Sequence, residues 1–299
     1  MFRENASYDG RIIKGIAGFY YVYVEDEGIV ECHAKGIFRK DNTRPLVGDR
    51  VSISITDAEH KEGILNEVYP RTSSLIRPEV ANVDQVLILF AYSQPKPNLD
   101  LLDKFLISVE LQNIPAIICF NKKDLIEEAE QQRIHNIYKN CGAEVLSIGA
   151  ASGTDLEQLR QLLKKKTTAL AGPSCVGKST LTNILCPEAS METGEISRKL
   201  ERGRHTTRHA ELLYVEAETY LMDTPGFSAL TVDGLSEDEL KVYYHEFYPY
   251  EGKCRYQPCS HIHEPDCSVL AAVDEGKISA ERYESYRRIY NELKNRKKY

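Results

Sequence analysis

The sequence predicts an α/β chain in which a small β-barrel comes first and a helical segment last. Three observations carry this. Residues 1–70 break into short β-rich runs. Residues 71–228 alternate continuous apolar runs with amphipathic ones. From Leu235 onward the spacing is helical, interrupted by a cluster of cysteines and histidines.

In the first region, residues 18–24 (GFYYVYV) are aromatic and β-branched, and residues 51–55 alternate with period two, as strands with one buried face do. Short strands with turn signals between them suggest an OB-like barrel over residues 1–70. Residues 86–91 (VLILFA) and 116–120 (AIICF) are continuous apolar runs, which suit parallel strands buried on both faces. Between them, Leu101, Leu102, Phe105, Leu106 and Val109 recur at helical spacing, completing a βαβ unit. Residues 145–148 and 168–171 read as further strands, residues 156–163 as a helix, and residues 212–215 and 219–222 as a hairpin. Residues 71–228 therefore form one doubly wound domain. Residues 229–299 form the third, with Tyr283, Tyr286, Ile289, Tyr290 and Leu293 at helical spacing.

Four short motifs carry the chemistry. Gly172, Pro173, Ser174, Cys175, Val176, Gly177, Lys178 and Ser179 match G-x-x-x-x-G-K-[ST] between a strand and a helix opening at Thr180. In that context the backbone N–H groups and the helix start cradle phosphates, Lys178 reaches the β and γ phosphates, and the Ser179 hydroxyl binds Mg²⁺. Asn121-Lys122-Lys123-Asp124 follows the buried run ending at Phe120. It resembles N-K-x-D, whose carboxylate accepts from the N1–H and 2-amino groups of guanine. Adenine has neither donor and would leave Asp124 unpaired. Asn121 and Lys122 brace that pocket. Gly149-Ala150 stands where a Ser-Ala turn contacts the base, with Gly in place of Ser. Asp223-Thr224-Pro225-Gly226 matches D-x-x-G, so Asp223 is expected to hold Mg²⁺ through water and the Gly226 N–H to meet the γ-phosphate. Thr206 and Thr207, in GRHTTR at 203–208, are both candidates to complete the Mg²⁺ shell.

The order of these motifs is itself a finding. The base-reading motif at 121–124 precedes the phosphate loop at 172–179, and D-x-x-G comes last. The fold expected is thus a circularly permuted P-loop GTPase domain, in which the segment after Gly226 leads directly into the C-terminal domain.

That domain carries Cys254, Cys259, His261 and Cys267. Three thiolates and one imidazole suit a closed, tetrahedral, structural Zn²⁺ site, with His263 as a rival to His261. Eight cysteines, five scattered and three crowded into fourteen positions, fit a reducing compartment better than a disulfide framework. Residues 1–12 lack an apolar signal core and no run of eighteen apolar residues occurs, so a cytoplasmic protein without membrane partners is expected. A net charge of -7 gives no global reason for nucleic-acid binding. Local patches exist: residues 198–208 and 281–299 each carry net +4, whereas residues 1–70 carry net -3.

The permuted order, the Gly203–Thr207 segment and the Cys-Cys-His-Cys cluster together resemble the ribosome small-subunit-dependent GTPase A family of bacteria, over nearly the whole chain. The resemblance implies a monomeric late-stage maturation factor of the 30S ribosomal subunit and its 16S rRNA. It implies slow intrinsic hydrolysis of GTP to GDP, stimulated by the subunit. The sequence departs at Cys175, where the family has Gly; a cysteine fits at negative φ and is strained at positive φ. A glutamine orients the attacking water in many GTPases, but Phe227 follows Gly226 here, and His205 is the candidate in its place, as the family also suggests. Two other readings stay open at this point: a GTP-dependent switch for a non-ribosomal protein partner, and an ATPase or kinase, which Asp124 argues against.

Overall fold

The computed structural model describes residues 2–4, 6–25, 27–35, 38, 44–75, 79–187, 210–223, 232 and 234–296. Along the chain the strands and α-helices are β1 (Ser7–Ile16), β2 (Phe19–Val24), β3 (Gly28–Ala34), β4 (Arg50–Asp57), β5 (Glu62–Val68), β6 (Ser74–Leu75), β7 (Val80–Ala81), β8 (Gln85–Ala91), α1 (Leu99–Glu110), β9 (Ala116–Asn121), α2 (Glu128–Tyr138), β10 (Glu144–Ser147), α3 (Leu156–Leu163), β11 (Thr167–Ala171), α4 (Lys178–Leu185), β12 (Glu211–Glu216), β13 (Thr219–Asp223), α5 (Ser268–Asp274) and α6 (Ala280–Asn295). The chain gathers into two compact units: Met1–Val86, Glu157–Ala171 and Lys178–Ser228 in the first, Leu87–Leu156, Gly172–Gly177 and Ala229–Tyr299 in the second.

The first unit contains the expected barrel. β1 pairs with β2, β2 with β3, β3 in parallel with β5, β5 with β4, and β4 returns to β1. Five strands therefore close on themselves, leaving no free edge among them. Val51, Ile53 and Ile55 point inward beside Ile12, Val22, Val30 and Leu65, while Ser52 and Ser54 lie on the other face. This is the period-two pattern read in the sequence. Gly10 is needed for space: a Cβ there would stand 2.5 Å from Val22 and 2.7 Å from the Tyr23 carbonyl oxygen. Beyond the barrel, β1 also pairs with β12, β12 forms the predicted hairpin with β13, and β13 runs parallel to β11. Arg11 stitches these parts, donating to the carbonyls of Gly48 and Asn82 and, at 2.6 Å, to the Thr167 hydroxyl.

In the second unit β8, β9 and β10 lie side by side, with β9 and β10 parallel. Every residue of β8 is buried, as its unbroken apolar run requires. Helix α1 begins at Asn98, whose side chain accepts the Leu101 N–H, an N-cap that satisfies one of the orphan donors. It buries Leu102, Phe105, Leu106 and Val109. Helix α6 is likewise capped by Ser279 and buries the five apolar residues whose spacing predicted it.

Sequence spacing did not reveal α2, which buries only Ile134, Ile137 and Tyr138. Nor does it show what happens at Arg282. Counted with a basic run, Arg282 is in fact 2% exposed. It donates to Glu246 at 2.6 and 3.2 Å and to Asp103. Arg288 is engaged by Asp100 at 2.6 and 2.7 Å, and Arg287 by Glu284. The net +4 of residues 281–299 is thus partly spent on the protein itself.

Candidate functional site

The phosphate loop follows β11, and two of its glycines have steric reasons to be glycine. Gly172 has φ +133°, and a Cβ there would fall 2.1 Å from the Leu89 carbonyl oxygen. Gly177 has φ +101°, and a Cβ there would fall 2.3 Å from the Asn121 amide nitrogen. Only glycine brings the loop this close to its neighbours. Between them, Val176 is 1% exposed, Pro173 is half-buried, and Ser174 and Cys175 are exposed.

Asn121, at the end of β9 and 3% exposed, is the hub. Its Nδ2 donates to the Val176 carbonyl at 2.9 Å. Its Oδ1 accepts from the Lys122 N–H at 2.8 Å and from the Ala150 N–H at 2.9 Å. One amide thereby ties the 121–124 motif, the phosphate loop and the Gly149-Ala150 turn into one set. Lys122 reinforces it, its ammonium donating to the carbonyls of Gln94 and, at 2.9 Å, Cys175. The Lys123 N–H bonds the Ile148 carbonyl and its ammonium bonds Asp155. Asp124 is left exposed to solvent, its Oδ1 3.0 Å from where a Cβ on Gly149 would stand.

Cys175 lies at φ +66°, the left-handed region. A side chain there costs about 1–2 kcal/mol that glycine escapes. The departure from the family's Gly is therefore a strained one.

In the first unit Lys178 opens α4, followed by Ser179 and Thr180, both exposed. Asp223 ends β13, its Cα in register with Leu170 of β11 and with Glu211 of β12. Burial pushes its carboxyl up; Lys178 pulls it down and Glu211 pushes it further up. Ser179 and Asp223, the residues expected to hold Mg²⁺, thus belong to the same unit. Thr206, Thr207, His205 and Gly226 lie outside the described residues.

The cysteine–histidine set converges as the spacing predicts. One donor atom from each of Cys254, Cys259, His261 and Cys267 lies within 4.8 Å of all the others, and all four residues are buried. Cys267 Sγ stands 3.8 Å from both Cys254 Sγ and Cys259 Sγ. Tetrahedral Zn–S bonds of about 2.3 Å imply sulfur separations of about 3.8 Å. His261 presents Nδ1 to the set, 3.2 Å from Cys267 Sγ, while its Nε2 meets Glu251 at 2.9 Å, the carboxylate partner that fixes a ligating imidazole. The rival His263 is exposed.

A closed five-stranded barrel, a P-loop and N-K-x-D in permuted order, and a Cys₃His cluster define a circularly permuted GTPase. The RsgA GTPase family model matches residues 68–233, and the RsgA N-terminal domain model matches residues 9–65. The chain belongs to the RsgA GTPase family. It is 49% identical over 300 residues to the small ribosomal subunit biogenesis GTPase RsgA of Agathobacter rectalis, covering 97% of this chain and 99% of that protein. Among solved structures it resembles YjeQ from Thermotoga maritima, with TM-score 0.79 and 32% identity over 97% of this chain and 100% of that one. It also resembles YloQ, a circularly permuted GTPase, with TM-score 0.77 and 36% identity over 99% of this chain and 98% of that one. Among the described residues no helix is long and apolar enough to cross a membrane.

Proposed function

We propose that this GTPase acts as a late-stage maturation factor of the 30S ribosomal subunit, contacting its 16S rRNA, with hydrolysis stimulated by the subunit. The observation that carries the nucleotide reading is the Asn121 amide, which joins the base motif to the phosphate loop by one hydrogen bond, to the Val176 carbonyl, and to the 149–150 turn by another, from the Ala150 N–H, both of 2.9 Å. The ribosomal reading is supported by the names of relatives 45–49% identical over nearly the full chain.

In this reading Asp124 accepts from guanine N1–H and N2–H, the Ala150 N–H meets the guanine carbonyl, and Lys122 covers the ring. The N–H groups of the 172–177 loop and Lys178 hold the phosphates, with Thr180 beside them and Gly226 on the γ-phosphate. Ser179, Asp223 and one of Thr206 and Thr207 would hold Mg²⁺, which when bound would neutralise charge on the phosphates. Water oriented by His205 attacks the γ-phosphorus as the bond to the β-phosphate oxygen breaks, giving GDP and phosphate. Cys254, Cys259, His261 and Cys267 would hold Zn²⁺, which would supply structure rather than chemistry. The domains proposed are residues 1–70, 71–228 and 229–299, in a monomeric cytoplasmic protein.

The test is the rate of GTP hydrolysis with and without purified 30S subunits. A rise of at least tenfold is expected, and an unchanged rate overturns the ribosomal reading. Asp124→Asn tests the base contact separately: preference should move from guanine to xanthine nucleotides.

A further inference from the structure

The loop that gathers Cys254, Cys259, His261 and Cys267 concentrates negative charge. Three thiolates against one divalent cation leave one negative charge in excess. The imidazole adds nothing, because a histidine that ligates through Nδ1 keeps a proton on Nε2 and stays neutral. Two carboxylates stand close by. Glu251 Oε1 lies 2.9 Å from His261 Nε2. Glu264 is satisfied by the loop itself: it accepts from the N–H groups of Ser260, Ile262 and His263 at 2.8–3.1 Å and from the Ser260 hydroxyl at 2.7 Å. Negative charge left unbalanced around the set would raise the cost of holding all three sulfurs as thiolates.

A cation meets that charge from outside the loop. Lys241 sits in the helical turn Leu240–Tyr243. Leu240 anchors the turn, fully buried in the same core as Cys254, Cys259 and Cys267. The Lys241 ammonium donates to the Cys259 carbonyl at 3.1 Å and pairs with Glu251 at 3.4 Å. One side chain thus reaches the backbone of one ligand residue and the carboxylate that steadies another. Its side chain is 22% exposed, so solvent screens it less than a cation on the open surface. Two other cations of the region are engaged elsewhere: Arg255 pairs with Asp266 at 2.7 Å, and Lys253 donates to the Pro249 carbonyl.

We propose that Lys241 is the counter-charge of the metal centre: its ammonium, held between Cys259 and Glu251, offsets the negative charge that three thiolates and Glu251 would place around Zn²⁺, and so raises the affinity for the ion. This inference rests on the reading of the Cys₃His set as a zinc site. A merely structural Lys241 would act through its hydrogen bond to the Cys259 carbonyl alone. Substitution separates the two roles, since glutamine keeps an N–H donor without the charge and arginine keeps both.

The experiment titrates a chromophoric chelator into the zinc-loaded full chain, for the parent, Lys241→Gln and Lys241→Arg, and reads the affinity for zinc. Lys241→Gln should weaken zinc about tenfold, the scale found for groups that support a metal ligand without touching the metal. Lys241→Arg should stay within about threefold of the parent. Cobalt bound by the same three proteins should give one visible spectrum, because the ligands and their geometry are unchanged. Equal zinc affinity in Lys241→Gln and the parent overturns the proposal. So does an equal loss in Lys241→Gln and Lys241→Arg, or a cobalt spectrum altered in Lys241→Gln, since either assigns the effect to geometry rather than charge. The parent separates the layers: if it takes up no zinc, the zinc reading itself falls; if it holds zinc and Lys241→Gln holds it equally, only the role of Lys241 falls.

Discussion

Two loops of the second unit reach order by opposite means. Residues 172–177 and residues 254–267 both lack regular structure over most of their length. The first is fixed by the protein's own hydrogen bonds, chiefly those from Asn121 and Lys122 to its carbonyls. With those carbonyls engaged, its backbone suits an anion without rearrangement. The second has three thiols and an imidazole crowded together, an arrangement that thiols alone do not favour and that a cation explains. It is buttressed from α6, where Tyr283 donates to the His261 carbonyl and Tyr286 to the Ser260 carbonyl. The contrast teaches that one loop is built to receive its ligand and the other to be built by it.

Metal removal should have the largest effect. A chelator, or Cys267→Ser, should unfold the 254–267 loop and release Tyr283 and Tyr286. At a thousandfold excess of metal over its Kd, about 4 kcal/mol of stability is at stake, read as a metal-dependent melting temperature. A melting temperature indifferent to chelator would erase the contrast. Asn121→Ala should come next. It strands the N–H groups of Lys122 and Ala150 and the Val176 carbonyl, a loss of about 2–3 kcal/mol, with GTP affinity falling about a hundredfold. Denaturant unfolding and nucleotide titration check the two parts. Cys175→Gly should stabilise the protein by about 1 kcal/mol by relieving the left-handed φ, visible as a higher denaturation midpoint.

The smallest effect lies on α6 and calibrates its buttressing role. The Lys104 ammonium bond holds the Glu292 carboxyl below its ordinary value of 4.5, with burial opposing. A carboxyl depressed in the folded state stabilises above the unfolded value and loses that contribution as pH falls through the folded one. Glu292→Gln should therefore lower stability at pH 7 by under about 1 kcal/mol, and the difference from the parent should shrink as pH falls below 4.5, read in parallel pH-dependent melts.

The sequence carried the strands and helices whose burial is one-sided or complete, because period and run length record burial directly. Residues 51–55, 86–91 and 283–293 all read this way. Helix α2 escaped because three buried residues in eleven leave little periodic signal. The motifs gave the loops of the site but not the link between them. That Asn121 reaches Val176, 55 positions away, is a property of the folded chain. Arg282 shows the same limit: among basic neighbours it reads as surface, and only the fold brings in Asp103 from 179 positions away.

The seam between barrel and hairpin is narrow. Among the described residues a single matched pair, Lys14 with Glu211, joins β1 to β12, backed by an ion pair of 3.2 Å. Yet that seam covers the outer edge of the hairpin whose other strand ends in Asp223. Excising the barrel to study hydrolysis alone would therefore strip β12 of β1, its neighbour on that side among the described residues, and leave bare amides inviting a second chain. A truncated protein of this kind is better regarded as a strand in search of a partner than as a minimal enzyme.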